Sequence, residues 1–306
     1  MDGARSPDEL AAEAGCHAGA LYRVLRALAA AGVVHEDDDR RFSLTAVGEL
    51  LRSDVSGSLA PWAALVARPY LWRAWGELMH SVCTGENAFA HVHGVDVWEY
   101  RAEHPEEGAI FDRAMTAQTR RSNQAVIDAY DFGRFETIVD VGGGEGAVLA
   151  AILAEHPKLR GVLFDQPHVV EKAHDLLSAA GVSDRVRVES GSFFDGVPPG
   201  GDAYILRFII HDWPDAECIQ ILRNIRAVLP TPGRVLVVEN LVPSPNEGLA
   251  VKLLDLQMLV APGGQERTID EYARLLANAD LGLVAVTPTA SGFSVIEAAA
   301  TGAGRP

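Results

Sequence analysis

The spacing of apolar residues changes twice along the chain, and each change marks a different architecture. From residue 6 to 54 the spacing is helical, with Leu21, Val24, Leu25 and Leu28 on one face. Ser6-Pro7-Asp8-Glu9 has the form of a helix start, with Ser6 as N-cap, Pro7 at the first helical position and Glu9 three residues after the cap. Gly32 closes the second helix. Val33–Glu36 and Arg41–Leu44 predict two short strands around Asp37-Asp38-Asp39, and Thr45 opens another helix ending near Leu51. The order is that of a winged helix.

Residues 58–130 read as all-helical and rich in aromatics: Trp62, Tyr70, Trp72 and Trp75, then Trp98, Tyr100, Phe111 and Met115, with a break from Gly85 to Gly94. Beyond Phe135 short β-branched runs alternate with helical segments, at 138–141, 161–164, 186–189, 203–210 and 234–238. That alternation predicts a mostly parallel sheet with crossover helices. Two last runs, 283–287 and 293–298, predict a closing antiparallel hairpin. The expected organisation is therefore a helical, winged-helix-like domain over residues 1–130 and an α/β domain over 131–306.

Composition narrows the partners. A chain of 306 residues with 48% hydrophobic residues can build two cores, and a net charge of -16 disfavours nucleic acid and anionic membrane. Cys16, Cys83 and Cys218 are scattered with no CxxC spacing, which suits a reducing, cytoplasmic setting. His91 and His93 lack a third metal ligand, and no metal is expected. The winged helix would need positive charge to bind DNA, and its wing tip is triply acidic, so a regulator is the weakest reading.

The chemistry begins at Asp140-Val-Gly142-Gly143-Gly144-Glu145-Gly146, which follows an apolar strand and precedes an apolar helical pattern. Such a turn cradles a nucleotide, because glycines let the backbone approach it closely. Glu145 stands where a dinucleotide would put its phosphates, and a carboxylate would repel them. S-adenosylmethionine has a sulfonium and no phosphate, so it suits the loop better than a nicotinamide cofactor. Asp165, about 20 residues on, is placed for ribose hydroxyls or for a simple helix cap.

The run Ala203–Ile210 delivers His211-Asp212-Trp213 to the ligand edge of the sheet. Imidazole, with an ordinary pKa of ~6.5, serves as a base near neutrality, mostly as the free base. Glu239 ends the next strand on the same edge and is the expected orienting partner. Glu271 stands three residues after Thr268, so helix capping is its default role.

Together with Pro262-Gly-Gly-Gln-Glu266-Arg-Thr268 and Phe164-Asp165-Gln-Pro-His, these motifs resemble the small-molecule O-methyltransferases, a family with plant caffeate and isoflavone enzymes and bacterial polyketide and antibiotic tailoring enzymes. The resemblance runs from about Ser6 to Ala299. It implies a class I methyltransferase sheet behind an N-terminal domain that forms a homodimer and lids the substrate. It implies that Asp140, Gly142, Gly144, Asp165, Gln166, Ser192, Phe193 and Arg207 hold S-adenosylmethionine. His211 is then the base, with Glu239 and Glu271 as the flanking acidic pair. Trp98, Phe111, Met115, Phe208, Leu254 and Met258 line the pocket of an aromatic hydroxylated acceptor. Two departures stand out: many relatives have Asp in place of Ser192, and relatives carry further helices ahead of the winged-helix part. The implied activity is O-methylation in secondary metabolism. Decarboxylation or hydroxylation on the same scaffold is an alternative that His211 and the glutamates disfavour.

Overall fold

The computed structural model describes residues 3–55 and 57–301. The chain divides into two compact units after Val66. The expected boundary at 130/131 therefore moves, because the helices from Ala67 onward belong with the sheet.

In the first unit, Ser6 and Glu9 form the predicted capping box at the start of helix Pro7–Ala14, and helix Ala18–Ala30 follows. Strands β1 (Val34–Glu36) and β2 (Phe42–Leu44) pair antiparallel around the acidic turn. Leu25, Val34 and Phe42 make the small core.

The second unit is built on seven strands: β3 (Thr137–Val141), β4 (Arg160–Asp165), β5 (Val186–Ser190), β6 (Ala203–Arg207), β7 (Arg234–Asn240), β8 (Leu281–Pro288) and β9 (Phe293–Ala300). Their order is β5-β4-β3-β6-β7-β9-β8. The first five are parallel, and β9 alone runs against them, paired antiparallel to both β7 and β8. The hairpin is as expected, but it folds back so that its second strand lies inside the sheet and its first becomes the edge.

Alternate residues of each strand feed opposite faces. Ile138, Leu163, Ile205 and Leu236 pack with Leu149, Ile152 and Leu153 on one face. Val139, Val162, Tyr204 and Val237 pack with Ile221, Leu222, Ile225 and Leu276 on the other. Both faces are thus covered, which explains the near-continuous apolar strands. Helices Pro69–Gly76, Leu78–Thr84, Ala88–His93, Val97–Glu103 and Pro105–Ala129 complete the unit. They are tied to it by named contacts: Trp75 donates to Gln257 at 2.5 Å, and Asn123 donates to the Ala147 carbonyl at 2.8 Å. Among the described residues no helix is long and apolar enough to cross a membrane.

Leu163 is fully buried, and its Cδ1 methyl lies 2.5 Å from where a Cβ on Gly143 would stand. It is the floor of the glycine loop. Leu163→Ala should cost ~2–5 kcal/mol of unfolding free energy through the cavity it leaves, read as a lower midpoint in urea.

Candidate active site

At the end of β3 the chain turns through Gly142 (φ 70°), Gly144 (φ 60°) and Gly146 (φ 85°), conformations that glycine adopts without strain. Gly142 also needs to be glycine for space, since a Cβ would sit 2.4 Å from Ile209 Cδ1; at Gly144 the same position is open. The Gly144 N–H donates to Asp165 Oδ2 at 2.8 Å, so the carboxylate that ends β4 is drawn over the loop. Asp140 is buried, with Oδ2 lacking any partner. Burial raises its pKa to about 7, Asp165 adds to the rise, and Arg207 opposes it. Burial also raises Asp165. Gln166 stands at the N-cap position of the short helix Pro167–Val170 without a side-chain cap, Ser192 Oγ accepts from the Phe194 N–H at 3.2 Å, and the Phe193 ring meets Trp213 edge-on at 6.0 Å.

Arg207 departs from its expected role. Its guanidinium is buried and donates to Asn123 Oδ1 and Ser122 Oγ of the long helix Pro105–Ala129, leaving Nε alone unpartnered. It acts on the cradle through its charge beside Asp140. A side chain this deep has to satisfy its donors inside the protein, and that is why it faces the helix.

The strand expected to reach Ile210 ends at Arg207. Phe208 takes φ 57°, and the chain leaves the sheet in a tight turn, Ile210–Asp212. Glu239 explains the turn. At the end of β7 and fully buried, it accepts the N–H groups of Ile209 (3.0 Å) and Ile210 (3.1 Å) through Oε1. Its other oxygen lies 3.6 Å from His211 Nδ1. Glu239 thus shapes the backbone that presents the histidine.

The direct partner of His211 is a residue to which the sequence reading gave no role. Glu266 Oε1 lies 2.7 Å from His211 Nδ1. Glu271, expected beside the histidine, instead closes a capping box with Thr268, accepting its N–H at 2.7 Å and its hydroxyl at 2.8 Å. Three contacts press Glu266 into place. Its own N–H donates to Asp255 at 2.9 Å. Gly264 touches the His211 turn so closely that a Cβ would meet the His211 carbonyl at 2.1 Å. Arg267, almost wholly buried, donates to the carbonyls of Ile210 and Trp213 at 3.0 Å each and to Asp215 at 2.7 Å, clamping the turn from below. The signal that could have identified Glu266 was Gly-Gly-Gln-Glu-Arg, a glycine pair that permits close approach beside two oppositely charged residues.

His211 Nε2 points away from Glu266, with Asp212 Oδ1 at 3.7 Å. Burial disfavours the imidazolium, but Glu239, Asp212 and Glu266 outweigh it and raise the His211 pKa to about 10. The expectation of a free base at neutral pH is corrected accordingly, because three carboxylates surround the ring. Burial raises Asp212 to about 6 against the pull of His211 and Arg101. His211, Glu239 and Glu266 are also the one group among the described residues with metal-ligand spacing, and the 2.7 Å contact accounts for it as a hydrogen-bonded pair.

Phe208 stacks on His211 at 5.8 Å and meets Phe293 edge-on at 5.0 Å. Trp98 meets Phe111 edge-on at 5.6 Å and stacks on Trp213 at 6.0 Å. Met115 lies one helical turn beyond Phe111, and Leu254 and Met258 lie one turn apart on helix Leu249–Val260.

Replacing Glu266 with Gln removes a charge that favours the imidazolium, so the His211 pKa should fall by about one unit or more, read by NMR titration of the ring. Glu271→Ala should cost ~0.5–2 kcal/mol through the lost cap and leave that titration in place.

Residues 75–281 match the O-methyltransferase domain family, and residues 1–54 match the O-methyltransferase dimerisation domain. A phenazine O-methyltransferase of Lysobacter antibioticus is 44% identical over 297 residues, 97% of this chain and 87% of that protein. The mitomycin 7-O-methyltransferase structure superposes with a TM-score of 0.92 at 35% identity, covering 98% of this chain and 89% of the other. The O-methyltransferase of neocarzinostatin biosynthesis, solved with S-adenosylmethionine and 2-hydroxy-5-methyl naphthoic acid, superposes with a TM-score of 0.85 at 34% identity, covering 97% and 90%. The chain belongs to the O-methyltransferase family and is an S-adenosylmethionine-dependent O-methyltransferase with a class I methyltransferase fold.

Proposed function

We propose that this enzyme methylates a hydroxyl oxygen of an aromatic, phenolic or polyketide-like acceptor in secondary metabolism, with His211 as general base. The observation that carries the reading is the His211–Glu266 contact at 2.7 Å on the sheet edge where the glycine loop opens. The naphthoic acid in the neocarzinostatin enzyme and the ring-lined surroundings of His211 support an aromatic acceptor.

S-adenosylmethionine, when bound, supplies a methyl group on a sulfonium. The residues fit it: Asp140 offers a buried carboxylate oxygen with no partner among the described residues, Asp165 accepts the Gly144 N–H while the Cβ side of Gly144 stays open, and Glu145 disfavours phosphate. Asp140, Gly142, Gly144, Asp165, Gln166, Ser192 and Phe193 are the residues we assign to holding it.

His211 Nδ1–H donates to Glu266, which fixes the tautomer and leaves Nε2 for the acceptor hydroxyl. In the neutral form of the ring, Nε2 would take the proton of the acceptor hydroxyl, and Glu266, Glu239 and Asp212 stabilise the imidazolium that results. A phenol ionises near ~10, and His211 is raised to about 10 as well. The upward shift narrows the gap between base and phenol relative to an unperturbed imidazole. Glu266 holds the ring and Glu239 holds the turn. The match to the dimerisation domain supports a homodimer, as do the exposed Val24, Val47 and Leu51 of the first unit. The unpaired cysteines support the cytoplasm.

His211→Ala should lower kcat by ~10²–10⁴-fold while S-adenosylhomocysteine still binds by calorimetry; near-wild-type turnover with labelled cofactor and a phenolic panel would remove the base. The reactive pair carries one proton fewer than imidazolium plus phenol. In the wild type, kcat/KM for the acceptor should therefore climb through neutral pH toward a plateau near ~10. A flat profile above pH 7 would contradict the raised imidazole.

A further inference from the structure

Helix Val97–Glu103 places Trp98 and Arg101 three residues apart, hence on one face. The Arg101 guanidinium lies 3.7 Å from the centroid of the Phe111 ring and 5.1 Å from that of Trp98. Trp98 in turn stacks on Trp213, two residues beyond His211. Rings therefore run without a break from Arg101 to the turn that carries the base.

At the far end of this wall one polar group is weakly paired and the other has no acceptor among the described residues. Arg101 forms no ion pair among the described residues; its polar contact is Nε to Tyr70 Oη at 3.5 Å, long for a hydrogen bond. The indole N–H of Trp98 is buried with no acceptor among the described residues. Stacking explains why the guanidinium is flat against Phe111, but it leaves the donors of the fork unused. Its charge favours ionisation of Asp212, and Asp212 is set against His211. A fixed planar cation beside an orphaned N–H donor, on an aromatic wall, is a site lacking a planar anion with two acceptor oxygens.

We propose that Arg101 and the Trp98 N–H recognise a carboxylate on the aromatic acceptor, which makes the substrate class a hydroxyarene carboxylic acid. The inference rests on the acceptor reading above and names the group at the other end of the molecule from the reacting hydroxyl. The arene lies along the ring wall, its hydroxyl directed to His211 Nε2 and its carboxylate to the guanidinium fork. Arg101 thereby offsets the repulsion that Asp212, Glu239 and Glu266 would exert on an acidic substrate. A neutral phenol of the same shape gains nothing from the pair.

The test compares 6-hydroxy-2-naphthoic acid, whose hydroxyl and carboxylate lie at opposite ends of the ring system, with its carboxamide at neutral pH, in the wild type and in Arg101→Gln and Arg101→Lys. The wild type should favour the acid in kcat/KM by about tenfold to a hundredfold, the range for hydrogen bonds to a charged group. Arg101→Gln should bring the ratio near one, and Arg101→Lys, which keeps the charge but not the fork, should fall between. Binding of 2-naphthoate against 2-naphthamide to the S-adenosylhomocysteine-loaded enzyme, by calorimetry, should show the same preference and the same loss. S-adenosylhomocysteine affinity checks that each variant is folded. A wild-type ratio near one, or an Arg101→Gln variant that keeps the preference, overturns the proposal. An Arg101-dependent preference in binding without methylation of either hydroxy compound would uphold the carboxylate site and discard the hydroxyl-acceptor reading.

Discussion

The arrangement turns on one buried contact, the hydrogen bond between His211 Nδ1 and Glu266 Oε1. An imidazole and a carboxylate this deep are each costly alone, and together they are stable only at close range with their other groups satisfied. Much of the second unit can be read as meeting that condition. Gly264 lets one loop touch the back of the turn, Arg267 takes up the turn's carbonyls, Asp255 holds the Glu266 backbone, and Glu239 takes the N–H groups of Ile209 and Ile210. These groups come from a strand end, a tight turn, a loop and a helix. His211 is therefore held by tertiary structure rather than by any one element, as sub-ångström placement of a side chain requires.

Arg207 links this cluster to the cofactor cradle. Its charge acts on Asp140 on one side and on Glu239 on the other, while burial lowers its own pKa to about 10. Its donors go to Ser122 and Asn123, and Asn123 also donates to the Ala147 carbonyl at the start of the helix after the glycine loop. One guanidinium thus ties the long helix, the glycine loop and the base's strand into a single electrostatic unit. Displacing that helix would disturb both halves of the reaction.

What could be read from the chain alone follows from range. The Ser6 capping box, the glycine turn after β3 and the strand alternation are local patterns, and each appears where its spacing placed it. Glu271 was legible as a cap for the same reason, since three residues decide it. Glu266 was not, because its role depends on a loop meeting a turn 55 residues away. The end of β6 was similarly hidden: Phe208-Ile209-Ile210 is as apolar as the strand before it, and only the reach of Glu239 turns it aside. The pairing of β9 between β7 and β8, and the docking of residues 67–130 with the sheet, are likewise decided by long-range packing.

Charge follows the same rule. Counting residues makes the chain acidic overall, which says little about any one site. Locally, His211, Asp212, Glu239 and Glu266 form a cluster in which burial and neighbours pull in opposite directions. Burial by itself would lower an imidazole's pKa and leave it a weak base, poorly matched to a phenol. Three carboxylates reverse the sign and raise the His211 pKa instead. The same carboxylates would raise the cost of a negatively charged acceptor, unless a cation stood at its other end. The proposed carboxylate site assigns that position to Arg101, stacked on its aromatic wall. The carboxylates that raise the His211 pKa and the cation proposed to meet an acidic substrate are in this sense two parts of one electrostatic arrangement.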